Sequence, residues 1–476
     1  MKRFRLFLAN IGKRQVEFPL VTPPLGIMYL AAYVRSKFDA DILLINQKVE
    51  NCSNDRIIER AVSFQPDIIG LSATTPTAHN LPYLTRHLKK MIPRALIIIG
   101  GPHVSAFESR SLANNSADLA VPREGELALE QIIRARFEGD SFESVPGIYR
   151  RDGAGDIIAN PGNIPYINDI DSLPPPAYDL IDLAPYWKTQ SMPPLPTRRY
   201  ASLFSSRGCP YHCIYCHRIF GDAFRWHSAE RIADEMAWLQ KRHRIRDFEF
   251  LDDIFNLNKQ RIADLAGQIN RRGLKTKLVF PNGVRTDILT RDEIDLLVEM
   301  GMYYASFALE SGSPRIQKLI RKNLDIDKYL ENVDYAASLG VLSNGFAMMG
   351  FPTETEADLE MTIDVTCRSR LHTVSYFTTT PFPNTEMYRL AEKQFPDRLR
   401  RINYDDMEYA GLAVNLSDVP DHVLFACQRR ANRRFFLNPA RLARLVKNYP
   451  QPYKLSLYLP IFARRALKGI YRPKRH

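Results

Sequence analysis

The stretch that decides the fold is Arg207-Gly-Cys-Pro-Tyr-His-Cys-Ile-Tyr-Cys-His217. It places Cys209, Cys213 and Cys216 within eight residues, at the spacing C-x3-C-x2-C. Three thiols this close along the chain indicate one loop wrapped around an inorganic centre. Three thiolates suit a four-iron cluster and leave one iron without a protein ligand, so that this iron can also bind a substrate. The alternatives are three unpaired core cysteines or a structural zinc loop, although zinc sites usually need four ligands in two pairs.

The composition bounds the class of protein. Hydrophobic residues make up 45% of the 476-residue chain and charged residues 25%, which is typical of a globular protein with two or three domains. Cys52, Cys367 and Cys427 are spaced without a pattern, so no disulfide framework is expected, and a labile cluster needs a reducing cytoplasm. The apolar run after Met1 is too short for a signal peptide, and no window approaches the ~18 consecutive apolar residues of a membrane span. We therefore expect a cytoplasmic protein.

The first hundred residues alternate short β-rich apolar runs with helical patterns. Strands are predicted at 4–9, 41–45, 66–73 and 95–101, and helices at 25–38, 57–64 and 81–91. This alternation predicts an α/β fold that begins with a doubly wound parallel sheet of the flavodoxin or Rossmann kind. Ligands of such sheets bind beyond the carboxyl ends of the strands. Here those ends carry Ser72-Ala-Thr-Thr75 and Gly100-Gly-Pro-His103, small residues that let a ligand approach the backbone.

A hairpin and a proline-rich segment follow the first domain, which we place at residues 1–145. Residues 147–158 predict a hairpin that turns at Asp152-Gly153. Nine prolines lie between residues 161 and 196, which predicts an extended connector without regular structure. Residues 146–198 are therefore interpreted as a hairpin and linker.

The alternation of strands and helices resumes after the cysteine loop. Helices are predicted at 229–242, 259–271, 291–300, 327–339 and 356–368, and strands at 247–252, 278–280, 304–310, 345–350 and 373–377. About six βα units predict a partial (βα)6 barrel over residues 199–397. The cysteine loop follows its first strand, at the face where such barrels carry out chemistry.

The cysteine spacing, with Tyr215 directly before the third cysteine, resembles the radical S-adenosylmethionine (SAM) superfamily. The resemblance implies a [4Fe–4S] cluster held by Cys209, Cys213 and Cys216, whose free iron is chelated by the amino and carboxylate groups of SAM. It implies reductive cleavage of SAM to a 5′-deoxyadenosyl radical that abstracts hydrogen from an unactivated carbon, with an external electron donor of the flavodoxin or ferredoxin type. Tyr215 would stack near the adenine or cap the core.

The resemblance also assigns residues near the strand ends to SAM. Glu310, followed by Ser-Gly-Ser, matches a polar residue that holds the ammonium or the ribose hydroxyls, with an ordinary exposed glutamate as the alternative. Asp252 lies where the family contacts the amino group, although paired carboxylates could equally bind a basic residue. Asn282 and Arg285 end the third strand, and Arg285 would pair with the SAM carboxylate or with a surface acid. Met348 matches the position that borders adenine.

The first half resembles the cobalamin-binding domain that precedes many radical SAM enzymes, over about residues 3–135. The matching pieces are residues 24–32, 70–72, 100–104 and 124–126. The implied cobalamin-binding residues are Ser72, Thr74, Gly100, Gly101, His103, Glu124 and Gly125. The D-x-H-x-x-G motif that supplies a histidine to cobalt elsewhere is missing, so no protein imidazole on cobalt is expected, and Arg123 stands where a glycine is common. A flavodoxin-like domain without a cofactor is the alternative.

The net charge of +12 is concentrated at the C-terminus. Residues 422–476 contain 14 lysines or arginines and no acid, so the rest of the chain is nearly neutral. Over residues 398–476 we expect a basic helical region in which Leu442, Leu445 and Val446 share one face, with Arg441 and Arg444 off it. Such a region suits the anionic surface of a bilayer, and a helical cap on the barrel is the alternative. No RNA-binding fold is evident, so nucleic acid is not an expected partner.

Together these features imply a cobalamin-dependent radical SAM enzyme, either a methyltransferase or one that forms or cyclises carbon–carbon bonds. By analogy its substrate is a small molecule, lipid-like or a tetrapyrrole, and a lipid-like substrate would bring the enzyme to the inner face of the membrane. A radical SAM methylthiotransferase acting on tRNA would need a second cluster from N-terminal cysteines, and only Cys52 is present there. A non-catalytic cobalamin-binding sensor with a structural cluster is the alternative from another class.

Overall fold

The computed structural model describes residues 3–12, 21–405 and 414–455, and the chain divides into two compact units. The first unit comprises Met1–Ser191 and His217–Trp226, and the second comprises Met192–Cys216 and His227–His476. The ten residues that follow the third cysteine of the loop therefore belong to the first unit, although both of their flanks belong to the second.

The first unit is built on a seven-stranded sheet. Its strands are β1 (Phe4–Ile11), β2 (Ala40–Asn46), β3 (Ile68–Ala73), β4 (Leu96–Gly100), β5 (Leu119–Val121), β6 (Tyr149–Arg151) and β7 (Ile157–Ala159). The longer helices of the unit are Leu25–Lys37, Asn54–Phe64, Leu81–Met91 and Glu126–Glu138. The strand order is β2-β1-β3-β4-β5-β6-β7, and the first five strands pair in parallel. This order confirms the predicted doubly wound sheet, whose ligand edge lies beyond the carboxyl ends of β1 and β3.

The strands of this sheet form because their side chains are buried on both faces. The run Leu-Ile-Ile-Ile of β4 is buried throughout, and β1 buries most of its residues as well. Such continuous apolar runs, rather than alternating ones, are typical of a parallel sheet that helices cover on both sides.

The hairpin and the proline-rich segment differ from their predicted roles. The hairpin itself is confirmed as β6 and β7, but it adds two antiparallel strands to the first sheet and is not part of a linker. The proline-rich segment contains only short helical turns, as expected, yet it is not an extended connector. Its buried side chains include Ile164, Ile167, Leu173, Tyr178 and Tyr186. Asn46 Nδ2 also donates a hydrogen bond to the Tyr186 hydroxyl at 2.9 Å. The prolines of this segment prevent regular secondary structure, but they do not prevent its other side chains from packing.

The second unit is built on a six-stranded parallel sheet. Its strands are β8 (Tyr200–Leu203), β9 (Asp247–Phe250), β10 (Lys277–Val284), β11 (Met302–Glu310), β12 (Leu342–Met349) and β13 (Thr373–Thr378). The longer helices between them are Ala229–His243, Lys259–Arg271, Arg291–Glu299, Ile326–Ser338 and Glu356–Arg368. Each strand pairs in parallel with the next one along the chain, in agreement with the predicted succession of six βα units. All carboxyl ends of the strands therefore share one edge.

Two helices form the described part of the basic C-terminal region. The helix Asp421–Phe436 packs against Glu356–Arg368, where Arg434 Nη1 lies 2.5 Å from Asp364 Oδ1. In the helix Pro439–Asn448 the predicted apolar face is wrong. Leu445 is buried together with Arg441, while Leu442 and Val446 are 40% and 50% exposed.

Arg441 lies inward because its guanidinium donates to three carbonyl oxygens. The acceptors are Leu371 at 2.5 Å, Cys367 at 2.7 Å and Ser369 at 3.2 Å. Residues 456–476 of the predicted tail lie outside the described residues. Among the residues that are described, none of the helices has the length and apolar character needed to span a bilayer.

Candidate cluster and cofactor site

The three cysteines lie in the loop that leaves the carboxyl end of β8. Cys209 and Cys213 are half-buried and Cys216 reaches the surface. The loop is held at its centre, because Ile214 N donates to Ile320 O at 3.1 Å and Ile214 O accepts from Met387 N at 2.9 Å. Cys216 N also donates to Cys213 O at 3.1 Å. The fold therefore fixes the backbone that carries the thiols.

Each thiol of the loop has a raised pKa. Desolvation is the largest cause at all three sulfurs, and at Cys216, which still has exposed surface, it raises the pKa to about 12. The negative charges of Asp253, Cys213 and Cys209 are further causes of that pKa of Cys216, whereas the positive charge of Lys322 lowers the pKa of Cys213. Three thiolates this close need a compensating positive charge, and a metal centre provides one because coordinated thiols are deprotonated.

The donor set fits an iron–sulfur cluster better than a single metal ion. Within the described ranges, no three His, Cys, Asp or Glu side chains converge tightly enough to hold one ion. A four-iron cluster takes each thiolate on a different iron, so three thiols spread along one loop suit it, whereas zinc sites usually have four ligands. Three soft sulfur donors in one loop are the ligands that such clusters use.

Glu310 lies beside the cysteine loop, at the end of β11. It is 8% exposed, so the alternative of an ordinary exposed glutamate is wrong. Its backbone has a φ of 64°, and a non-glycine residue in this left-handed region costs on the order of 1–3 kcal/mol, which is typical of functional sites. Glu310 Oε1 accepts a hydrogen bond from Lys322 Nζ at 3.1 Å, and Lys322 is also 8% exposed. The charges of both side chains act on the Cys213 sulfur.

Lys322 is a site residue that the sequence analysis missed. It lies in a short segment between the helices Pro314–Leu319 and Ile326–Ser338. Nothing in the sequence distinguishes it from a solvated surface lysine, because its burial depends on the strand end that carries Glu310. Together the two side chains provide a carboxylate and an ammonium next to the cysteine loop.

Asp252 does not fit the predicted contact with the SAM amino group. Its carboxylate accepts hydrogen bonds from Ser205 N at 2.7 Å, from Ser206 Oγ at 2.7 Å and from the Ser205 hydroxyl. Arg261 Nη2 lies 3.4 Å from Asp252 Oδ2. Asp252 is thus a buried anchor for the chain just before the cysteine loop. The next residue, Asp253, accepts from Gly208 N at 3.2 Å.

Asn282 and Arg285 lie at the same strand edge but are engaged within the protein. Asn282 Nδ2 donates to Asp252 O at 2.9 Å. The Arg285 guanidinium donates to both carboxylate oxygens of Asp287, at 3.0 and 3.2 Å, and to Lys322 O at 2.9 Å. It also lies over the Tyr211 ring, 3.8 Å from its centroid. The sequence predicts either the SAM carboxylate or an acidic side chain as the partner of Arg285, and in the structure that partner is Asp287. Through its contact with Tyr211, Arg285 also links β10 to the cysteine loop.

Tyr215 and Met348 lie in one apolar cluster beneath the loop. Both are partly buried and pack against a small core that includes Ile214 and Phe351. The Tyr215 and Phe351 ring centroids are 5.9 Å apart, and the Tyr215 hydroxyl donates to the Cys213 sulfur. The structure therefore places both residues beside the loop, and their predicted contact with adenine remains a prediction.

The first sheet has an open, glycine-lined ligand edge at the ends of β3 and β4. Gly101 has a φ of 90°, and a Cβ there would lie only 2.6 Å from Ser72 Oγ, so that only glycine fits. Gly100 pairs in register with Ser72. Thr74 N donates to Thr77 Oγ1 at 3.2 Å and so closes the turn after β3. The contacts of Gly101 therefore fix the end of β4 closely against the end of β3.

His103 lies at the same edge and has a half-buried side chain. Burial lowers its pKa to about 4, so the imidazole is neutral near pH 7. Its ring stacks on Phe107 with a centroid distance of 4.5 Å, and no hydrogen-bond partner of the buried Nδ1 is found in the described part of the chain. Such a nitrogen can accept a hydrogen bond from a polar ligand, which fits a cobalamin at this edge.

Glu124 does not fit its predicted contact with cobalamin, whereas that of Gly125 remains a prediction. Both carboxylate oxygens of Glu124 are paired with the guanidinium of Arg225, at 2.6 and 3.1 Å. A Cβ on Gly125 would lie 3.1 Å from Leu30 Cδ2, a close contact, and the predicted contact of this glycine with cobalamin remains a prediction. Glu124 is therefore the residue of this motif that has a structural partner.

Comparisons with known proteins agree with this arrangement. The profile of the Radical SAM superfamily matches residues 203–366, and that of the B12 binding domain matches residues 15–133. An uncharacterized methyltransferase of Pyrococcus horikoshii is 28% identical and covers 88% of both chains. An anaerobic magnesium-protoporphyrin IX monomethyl ester cyclase of Rubrivivax gelatinosus is 24% identical over 88% of this chain and 75% of its own. Among solved structures, the cobalamin-dependent SAM radical enzyme OxsB superposes with a TM-score of 0.72 at 19% identity, over 98% of this chain and 73% of that one.

Proposed function

Because the chain belongs to the radical SAM superfamily, in the group that carries a B12-binding domain, we propose that it is a cobalamin-dependent methyltransferase or cyclase. It would cleave SAM reductively and abstract hydrogen from an unactivated carbon of its substrate, with electrons from a flavodoxin or ferredoxin. The observation that carries the proposal is the buried Glu310–Lys322 pair beside Cys209, Cys213 and Cys216.

The proposal gives each group at the loop a separate task. When bound, a [4Fe–4S] cluster supplies the electron for SAM cleavage and cobalamin supplies a transferable methyl group. Cys209, Cys213 and Cys216 would hold the cluster. Glu310 would accept hydrogen bonds from the SAM ammonium or ribose, and Lys322 would pair with its carboxylate, since charge-assisted hydrogen bonds are the stronger ones.

At the first sheet we propose a cobalamin site without a protein ligand to cobalt. Gly100 and Gly101 would border the ligand with their backbone, and Ser72, Thr74 and His103 would provide polar contacts. Glu124 is left out of this site because its carboxylate is already paired with Arg225, whereas Gly125 would still border the ligand with its backbone.

The test of the proposed function is SAM cleavage by the reconstituted chain. Anaerobic protein with iron, sulfide, SAM and dithionite should produce 5′-deoxyadenosine, and the Cys213→Ala variant should not. Production by the variant at the wild-type rate would contradict the proposal, and so would its absence from a wild-type protein that holds the cluster. A cobalamin-binding sensor would produce none.

We further propose a lipid-like substrate, reached from the inner surface of a membrane. The support is the apolar surface of the C-terminal region, where Leu437 is 57% exposed near Leu442 and Val446, within a stretch that has no acids. The full-length protein should float with vesicles that contain phosphatidylglycerol, and it should not float with vesicles of phosphatidylcholine alone. A Leu442→Ser/Val446→Ser variant that floats equally well would contradict this docking surface.

A further inference from the structure

The segment His217–Trp226 connects the two predicted cofactor regions along the chain. It begins directly after Cys216, yet it belongs to the first unit. Arg225, nine residues after that cysteine, is 6% exposed, and Glu124, which follows β5, is 3% exposed. Their side chains form a bidentate pair, with Nη2–Oε1 at 2.6 Å and Nη1–Oε2 at 3.1 Å.

The surroundings of this pair are closed by further contacts. The Arg225 guanidinium also donates to Ile167 O and Phe220 O, both at 2.7 Å, and lies over the Tyr166 ring at 5.0 Å. Glu124 Oε2 accepts from Ile167 N at 3.2 Å. A Cβ on Gly221 would lie 2.8 Å from the Tyr166 ring, so the segment is packed tightly against it.

From these contacts we infer that Glu124 and Arg225 are a positioning pair, which holds the chain that leaves the third cluster ligand on the unit that would bind cobalamin. This inference rests on the proposed function. Glu124 belongs to the loop between β5 and the helix Glu126–Glu138, next to the ligand edge of the sheet. Arg123 N of this loop donates to Ser105 Oγ at 2.8 Å, in the helix Pro102–Phe107 that carries His103, so a ligand held at His103 would also steady the loop and the segment that follows Cys216. Occupancy of the cobalamin site thus stabilises the cluster through the pair.

The test measures iron loss from the reconstituted full chain, with and without hydroxocobalamin. In the wild type, cobalamin should slow iron transfer to a chelator and slow hydrogen exchange in the peptide 217–226. In Glu124→Gln, which leaves the Arg225 charge buried without its counter-ion, iron loss should be about tenfold faster and cobalamin should no longer slow it. Arg225→Lys keeps the charge but loses the bidentate geometry, so an intermediate rate is expected.

The matched control is Asp222→Asn, which breaks the exposed Arg218–Asp222 ion pair of 2.6 Å in the same segment. It should behave as the wild type, because exposed pairs contribute little. Wild-type iron loss and exchange in both Glu124→Gln and Arg225→Lys would overturn the inference, and so would equal effects in the control. If Glu124→Gln does not fold, Arg225→Lys decides alone. SAM cleavage by the wild type would stand in either case, so the proposed function is tested separately.

Discussion

Lys322 Nζ lies 3.1 Å from Glu310 Oε1, and both groups are buried beside Cys213. A buried ammonium and carboxylate at the end of a parallel strand are costly to desolvate, and together they match the charged groups of an amino-acid ligand. Under the proposed function, SAM binding would depend on these two residues, which are 12 positions apart in the chain.

Replacing Lys322 with glutamine should weaken SAM binding without removing the cluster. The loss of one charge-assisted hydrogen bond is worth about 1.5–3 kcal/mol, so we expect roughly a tenfold to hundredfold higher Kd. The measurement is a SAM titration of the reduced cluster by electron paramagnetic resonance. Lys318→Gln, an exposed lysine on the preceding helix, is the control and should titrate as the wild type. An unchanged Kd in Lys322→Gln would exclude the residue from the SAM site.

Replacing Asp252 with asparagine should reduce stability and leave SAM affinity unchanged in the folded fraction. The variant leaves the buried Arg261 guanidinium without its counter-ion, and loss of one partner of a buried pair costs about 3–5 kcal/mol. Urea unfolding measures the cost, with Asp264→Asn, which removes an exposed acid of the helix Lys259–Arg271, as the control. A stable variant that fails to bind SAM would restore the contact predicted from the sequence.

Replacing Gly101 with alanine should abolish cobalamin binding. The new Cβ would meet Ser72 Oγ, and the left-handed backbone would add strain of about 1–3 kcal/mol. Gly139→Ala separates these causes, since Gly139 also has a φ of 90° but nothing lies within 4 Å of its Cβ. Cobalamin retention after gel filtration should be lost only in Gly101→Ala. Retention in both variants would argue against the proposed site.

The imidazole of His103 should make the first unit less stable as the pH falls. Its folded pKa of about 4 is lower than the unfolded value near 6.5, so below pH 6.5 the unfolded state binds more protons. The free energy of unfolding should therefore decrease between pH 6.5 and 4, by up to about 3 kcal/mol. Denaturant titrations at pH 7 and 5 should show a smaller decrease for His103→Asn. Equal decreases would assign the pH dependence to other groups of the first unit, such as His217, whose pKa burial also lowers to about 4.

Local patterns were sufficient to predict most of the elements of this fold. The helix Glu356–Arg368 begins where Thr355 and Asp358 form a capping box, and both residues are visible in the sequence. The cysteine loop was equally local, because its three ligands lie within one short run. Features of this kind depend on neighbours along the chain.

The errors concern partners that are distant in sequence. The sequence motif assigns Glu124 to cobalamin, because nothing near it along the chain shows that its partner is Arg225, 101 residues away. The sequence alone cannot show that the adjacent acids Asp252 and Asp253 have different partners, because those partners depend on where the end of the strand lies in the fold. Arg441 and Leu445 are buried together because the arginine donates to carbonyl oxygens at the end of the helix Glu356–Arg368 and just after it, which periodicity cannot show.

The central claim is that three thiolates leave one iron of a cluster free for SAM, and the electron paramagnetic resonance spectrum of the reduced, anaerobically purified protein tests it most directly. Addition of SAM should change the spectrum of a four-iron cluster, and alanine at Cys209, Cys213 or Cys216 should remove the cluster. A protein that holds zinc, or a cluster whose spectrum does not respond to SAM, would contradict the account.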